Sequence, residues 1–392
     1  MPQLLLLRGA KQVLSLRGPR GVRRGAALRD LGIIEDGAVL IRDGLIAEVG
    51  STRRIENLRD ARNAIEIPAN GRIIVPGFVD ASLTLKVNGR SSGDKHFRKR
   101  KSILEFQDDS LSLLRSCLQH GTLTVDLKAS GGGAARDLDI PALRKLAEIG
   151  SNPVSTGRTW HVGETGDQRY EVLLGRLSAL ERRKLMHSIE FDGGSNSATE
   201  LPSLLALGKS RVGIKLTWRG GLTENLSRCL EGLRPAAVYC AAPIFLTAQQ
   251  TAVLAESPAV AVLGAGKEVF QGPASSIGRE LVDAGAAIAL SSGYDSESGA
   301  NYSMQMSLSL SVVRLGLSME EAFSAATINA AYAVGRGDVV GSIEVGKHAD
   351  LLLLNVPDYR EVPAQFGVNH VDMAIRDGNV VLNRTRWKAT TR

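Results

Sequence analysis

Three stretches of this chain that read as strands carry side chains able to do chemistry. Ile74-Val75-Pro76-Gly77-Phe78-Val79-Asp80-Ala81-Ser82-Leu83-Thr84 presents two hydroxyls at Ser82 and Thr84, Leu123-Thr124-Val125-Asp126-Leu127-Lys128 ends on a lysine, and Val212-Gly213-Ile214-Lys215-Leu216 holds another. A serine becomes a nucleophile when a neighbouring base takes its proton, and a desolvated lysine is one such base. Ser82 with Lys128 or Lys215 is therefore one chemistry on offer, and lysines that hold an anion or pack their stems are the other. Zinc chemistry is badly served by Ser82 and Thr84: a hydroxyl stays protonated at neutral pH, whereas an imidazole nitrogen binds zinc as a neutral donor. Histidines number six, His96, His120, His161, His187, His348 and His370, and His161 after Trp160 is the one weighed for a pocket role.

The elements that must position these groups follow from periodicity. From about Pro76 to Val339, short apolar strands alternate with amphipathic helices, the pattern of parallel βα units; Ala259–Leu263 and Ala287–Leu290 are further strands. Ser318-Met319-Glu320-Glu321 is a capping box that starts a helix. A stretch of this length fits a (β/α)8 TIM-type barrel, whose strand ends all open onto one face. Val39–Gly50 and Met373–Val381 each read as two strands around an Asp-Gly turn, Asp43-Gly44 and Asp377-Gly378. The expectation is an α/β protein with residues 76–339 as the barrel, inserted into a small β-sandwich built from residues 1–75 and 340–392.

Composition narrows the setting. Hydrophobic residues make up 43% and charged residues 23% of the 392 residues, the balance of a soluble globular protein. The run Leu4-Leu5-Leu6-Leu7 is too short for a membrane span or a convincing signal peptide, so the expectation is a cytoplasmic protein without membrane association. Cys117, Cys229 and Cys240 have no disulfide or metal spacing and read as core residues. Net charge is +7, with basic clusters at Arg17, Arg20, Arg23, Arg24 and Arg29 and at Lys95, Arg98, Lys99, Arg100 and Lys101. Without interleaved aromatics in the first cluster or a reader motif, they read as solvated loops rather than a nucleic-acid surface.

The stretch from Pro76 to Thr84 resembles the first-strand motif P-G-[FL]-[IV]-D-x-H-x-H of the amidohydrolase superfamily, with both histidines replaced. Ala326-Thr327-Ile328-Asn329-Ala330-Ala331 and Gly341-Ser342-Ile343-Glu344-Val345-Gly346-Lys347-His348-Ala349-Asp350-Leu351 resemble that superfamily's C-terminal signature, which joins the last barrel helix to the returning strand. Within the superfamily the chain is most similar to imidazolonepropionases, through Gly121–Lys128 and the tail Asn355–Val371. The resemblance implies hydrolysis of a cyclic amide with zinc or iron. It places the metal ligands at Ser82, Thr84, Thr217 and Gly293, with no histidine from Tyr239 to Ala242 and Asp295 close behind Gly293. It also places His161 toward the substrate and Arg90 near the substrate carboxylate.

Replacements that strike the ligand positions together imply release from metal chemistry or a new use of the pocket. The leading expectation is a metal-free homologue without a cofactor that binds a small anionic or cyclic-amide-like ligand through Arg90 and Lys128, as a homodimer in one arrangement. An alternative is an active hydrolase with a rearranged site drawn from His161, Asp295 and Lys215, with Asp192 or Glu190. Another is a structural subunit of an active paralogue.

Overall fold

The computed structural model describes residues 3–86, 102–130, 139–162, 170–193, 212–241, 246–266, 276–296 and 301–385. The chain opens with β1 (Leu4–Leu14), β2 (Ile33–Arg42), β3 (Leu45–Ser51), β4 (Ile65–Pro68) and β5 (Ile73–Pro76). Eight further strands follow: β6 (Phe78–Lys86), β7 (Thr122–Ser130), β8 (Ser155–His161), β9 (Ser188–Gly193), β10 (Gly213–Trp218), β11 (Ala237–Cys240), β12 (Val260–Gly264) and β13 (Ala287–Ser291). The C-terminal part adds β14 (Leu351–Leu354), β15 (Val371–Arg376) and β16 (Asn379–Asn383).

The terminal strands form one sheet in the order β16-β15-β14-β5-β1-β2-β3, with β4 beside β1. Both Asp-Gly turns have positive φ at each central residue, Asp43 at 49° and Gly44 at 83°, Asp377 at 47° and Gly378 at 72°. That is the turn geometry matching the right-handed twist of a two-residue hairpin. The hairpins lie at opposite ends of the sheet, yet a Cβ built on Gly378 would stand 2.7 Å from the Gly44 Cα. The sheet therefore curls until its two end turns meet backbone to backbone, around a core that includes Leu7, Val13, Val39, Leu351 and Ile375.

β6 to β13 pair in sequence order as a parallel, nearly closed barrel. Period-2 alternation assigns the two faces. Leu123, Val125 and Leu127, then Ile189 and Phe191, then Ile214, Leu216 and Trp218 join the core outside the barrel under the helices. Inside, Val79, Ala81, Ala237, Val260, Val262, Ala287 and Ala289 make an apolar floor with Ala330 and Ala331 of the helix Ile328–Ala333. The inward residues nearer the C-terminal ends of β7 to β10 are polar.

The C-terminal motif ties the two sheets together. Gly77 N–H donates to the Asp350 carbonyl at 2.8 Å, and Asp377 N–H donates to Asp350 Oδ1 at 2.9 Å. Asn329 Nδ2 donates to the Arg23 and Ile288 carbonyls at 2.9 and 2.8 Å. The capping box forms as expected, with Glu321 N–H donating to Ser318 Oγ at 3.2 Å and Ser318 N–H to Glu321 Oε2 at 2.8 Å.

The first basic cluster corrects an expectation. Arg23 is 4% exposed, its guanidinium donating to the Pro19 and Leu16 carbonyls within the connector and its backbone N–H to Asn329 Oδ1 at 2.7 Å. Arg24 donates to the carbonyls of Ala255, Ser257 and Gly285 at 2.8 to 3.2 Å and so anchors the connector to the barrel. Arg17 and Arg20 are exposed, as a solvated loop requires. The second cluster lies outside the described residues. The three cysteines are buried and free, and no helix among the described residues is long and apolar enough to cross a membrane.

Candidate functional site at the barrel mouth

The inward positions of β7 to β10 form two layers. In the lower one Lys215 Nζ lies 2.7 Å from Asp126 Oδ2 and 3.3 Å from Thr159 Oγ1. The Thr159 hydroxyl also donates to both Asp126 oxygens, at 2.8 and 3.0 Å. Lys128 Nζ lies 2.7 Å from Glu190 Oε1 and 2.6 Å from Oε2, with its ammonium 4.3 Å from the centroid of the Tyr239 ring. Thr217 Oγ1 donates to Glu190 Oε1 as well. All of these except Tyr239 are buried.

The upper layer is half-open to solvent. His161 Nδ1 stands 3.2 Å from Glu190 Oε1 and its Nε2 3.8 Å from Asp192 Oδ2. Arg219, beyond the end of β10, reaches Asp192 Oδ1 at 3.5 Å, and across the barrel Lys86 Nζ stands 3.4 Å from Asp295 Oδ2. Burial by itself would raise the Glu190 carboxyl. The Lys128 ammonium and the His161 ring outweigh that and hold it well below the usual carboxylate range. Glu190 is therefore an anion at any ordinary pH, and its partners are in place.

The seam where β13 meets β6 is built differently. Thr84 N–H donates to the Tyr294 carbonyl at 2.9 Å, Ser296 N–H to the Thr84 carbonyl at 3.2 Å, and Ser291 Oγ to the Ser82 carbonyl at 2.7 Å. Asp80 Oδ1 accepts from Ser82 and Ser292 N–H at 3.2 and 3.1 Å, so one buried carboxylate clamps both strands. Burial pushes the Asp80 carboxyl up to about 6 despite those donors, and its Oδ2 has no hydrogen-bond partner among the described residues.

The structure brings His161, Lys128 and Lys215 into one mouth, together with Glu190 and Asp192. Lys128 and Lys215 each meet a carboxylate there rather than standing as open cations for a ligand or as bases beside Ser82. Asp295 lies at the seam with Lys86, and Arg90 falls outside the described residues. Sequence reasoning did not make Glu190 the centre of the network. The signal was its two-residue spacing from Asp192 between outward Ile189 and Phe191, which places both carboxylates on the inner face. Elsewhere, a cavity of about 200 Å³ lined by His120, Asn301, Tyr302, Ser303, Met306, Gly367 and Val368 shares none of these groups.

Comparison with known proteins now bears on the site. The Amidohydrolase family model matches residues 277–381. The chain is 26% identical to the imidazolonepropionase of Alkaliphilus metalliredigens, over 97% of this chain and 99% of that one. It is 29% identical to the imidazolonepropionase of Parabacteroides distasonis, over 96% and 99%. The chain is thus similar to imidazolonepropionases along almost its whole length. Solved structures agree on the fold: a triazine hydrolase variant superposes with a TM-score of 0.73 at 16% identity, covering 97% of this chain and 95% of that one. The A. niger ochratoxinase gives a TM-score of 0.73 at 14% identity, over 97% of this chain and 96% of that one.

Whether this mouth suits the zinc or iron that an amidohydrolase resemblance implies is a matter of donor chemistry. Among the described residues no group of three His, Cys, Asp or Glu is arranged to hold an ion. The positions at which the sequence resemblance expects ligands offer hydroxyls at Ser82, Thr84 and Thr217 and no side chain at Gly293. The nearest strong donor, Glu190, is already held by an ammonium at 2.6 Å, closer than a zinc ion would tolerate while binding the same oxygens. The described residues of this mouth do not fit the metal.

Proposed function

We propose that this chain is an imidazolonepropionase-like amidohydrolase homologue that binds a small anionic or cyclic-amide-like ligand at its barrel mouth without metal-assisted hydrolysis. The observation that carries this reading is the commitment of Glu190 to Lys128, Thr217 and His161 beside ligand positions that hold only hydroxyls. An anionic ligand would meet the loosely paired rim cations Lys86 and Arg219 before the tightly paired lysines beneath. In the test, small carboxylates and imidazolonepropionate are titrated while thermal unfolding and hydrolysis are followed. The reading expects a salt-sensitive rise in melting temperature, about 2.7 kcal/mol at a hundredfold excess over Kd, reduced in Arg219→Ala, and no hydrolysis with or without added zinc. Chelator-sensitive hydrolysis would overturn it.

One arrangement favours a second reading, an active hydrolase with a rearranged site. A histidine oriented through Nδ1 by a buried carboxylate, with Nε2 3.8 Å from the half-buried Asp192, has the arrangement of a general base. Hydrolysis that survives chelator and disappears in His161→Ala would select it.

A further inference from the structure

We propose that Tyr239 sets the depth of the barrel mouth, so that the ligand taken there is a short carboxylate without a ring, and that truncating this side chain admits an aromatic carboxylate. The inference narrows the ligand of the reading above and rests on it. Along β11, Ala237 and Tyr239 face the barrel interior, while Val238 and Cys240 join the outer core. The phenol packs on the apolar floor, where Val79, Ala81, Val260, Val262 and Ala289 are each at most 4% exposed. Tyr239 itself is only partly buried. What solvent reaches at this depth is the tyrosine ring, and the floor lies behind it.

The contacts of the ring show that it spans the interior. The Lys128 ammonium of β7 lies over its face, 4.3 Å from the centroid, as the attraction of a cation for an aromatic quadrupole favours. In the sheet β8, β9 and β10 stand between those two strands. At the other end, a Cβ built on Gly264 of β12 would stand 2.7 Å from Tyr239 Oη and 3.3 Å from the Gly293 Cα. That is closer to the oxygen than a side chain can come, so a glycine at 264 gives the phenol its place beside Gly293. One side chain thus bridges the charged strands and the seam. The rim cations lie one inward step above it: Arg219 is two residues beyond Thr217, the sheet partner of Tyr239, and Lys86 two beyond Thr84, the partner of Lys128. Two residues of strand are about 7 Å, room for a carboxylate and little more. Without the phenol, the space left over valines and alanines is of the dry, apolar kind that takes a benzene ring.

Calorimetric titration and thermal unfolding of wild type, Tyr239→Ala and Tyr239→Phe with acetate, benzoate and phenol test this. Wild type should bind benzoate no more tightly than acetate and ignore phenol. Tyr239→Ala should raise the benzoate-to-acetate affinity ratio about tenfold or more and take up phenol. Tyr239→Phe keeps the ring and should match wild type in that ratio. A folded Tyr239→Ala with an unchanged ratio overturns the inference, and so does a wild type or Tyr239→Phe that already prefers benzoate. If Tyr239→Ala does not fold, Tyr239→Val should show the same gains; if neither folds, the ring is needed for packing and the proposal falls. Failure of both carboxylates to bind any of the chains would sink the anion reading instead. Phenol then decides the depth claim by itself: uptake by Tyr239→Ala and not by wild type supports it, and no uptake overturns it.

Discussion

The two sides of the barrel wall treat polar side chains in opposite ways. From β7 to β10 the inward groups are charged and find one another across the barrel, β7 to β9 through Lys128 and Glu190 and β7 to β10 through Lys215 and Asp126. Along the seam of β13 and β6 the polar groups near the barrel end are mostly small, and several bind backbone: Ser291 to the Ser82 carbonyl, Asp80 to the amides of Ser82 and Ser292. The difference assigns different tasks. Seam hydroxyls and Asp80 hold the barrel's closing strands together, while the charged arc sets the potential at the mouth. The positions where the sequence resemblance expects metal ligands are divided between the two, with Ser82, Thr84 and Gly293 at the seam and Thr217 in the arc.

Removing one partner from the charged arc should give the largest effect. Asp126→Ala leaves the buried Lys215 ammonium with the Thr159 hydroxyl, and the expected loss is about 3–5 kcal/mol in urea unfolding. Asp126→Leu/Lys215→Met should regain most of it, since a neutral pair of similar volume removes the desolvation penalty. A single variant that loses under ~1 kcal/mol would show the arc relaxing to solvent and erase the contrast with the seam.

A smaller effect with a definite pH signature is expected at Asp80. Its folded carboxyl is raised to about 6, above the unfolded value near 3.9. The protonated form therefore favours the fold: the benefit is complete below about pH 4 and is lost as pH rises to about 6. Its size is about 3 kcal/mol. Asp80→Asn should lose this dependence, so the stability of the variant relative to wild type should rise by that amount between pH 4 and 7. Asp350, raised to about 6 by burial, contributes equally to both chains and cancels. A flat difference would mean that Asp80 reaches water.

Smallest are the seam substitutions. Ser291→Ala removes two buried hydrogen bonds, to the Ser82 carbonyl and from Gly293 N–H, and should cost about 1–2 kcal/mol. Gly293→Ala places a side chain at φ 70° and should cost about 1–2 kcal/mol. Urea midpoints for the pair check both values. Losses equal to that of Asp126→Ala would make the two sides of the barrel equivalent.

The fold was legible where local rules and tertiary packing agree. Asp-Gly turns, period-2 strands and the Ser318 capping box each depend on neighbours in sequence, and each formed. The Arg24 anchor was not legible, because its carbonyl partners lie up to 261 residues away along the chain. The mouth was partly legible: the resemblance located Ser82, Thr84, Thr217 and Gly293, and strand parity carried Lys128 and Lys215 inward. That each lysine is matched by a carboxylate from another strand depends on barrel curvature, which no local pattern encodes.

The central claim is that paired side chains, and not a metal, balance the charge of this mouth. Elemental analysis of the wild-type protein purified without chelator addresses it most directly. The account predicts only trace zinc, iron and manganese, unchanged after incubation with zinc and gel filtration. One equivalent of any of these metals per chain, lost on Glu190→Gln, would contradict it.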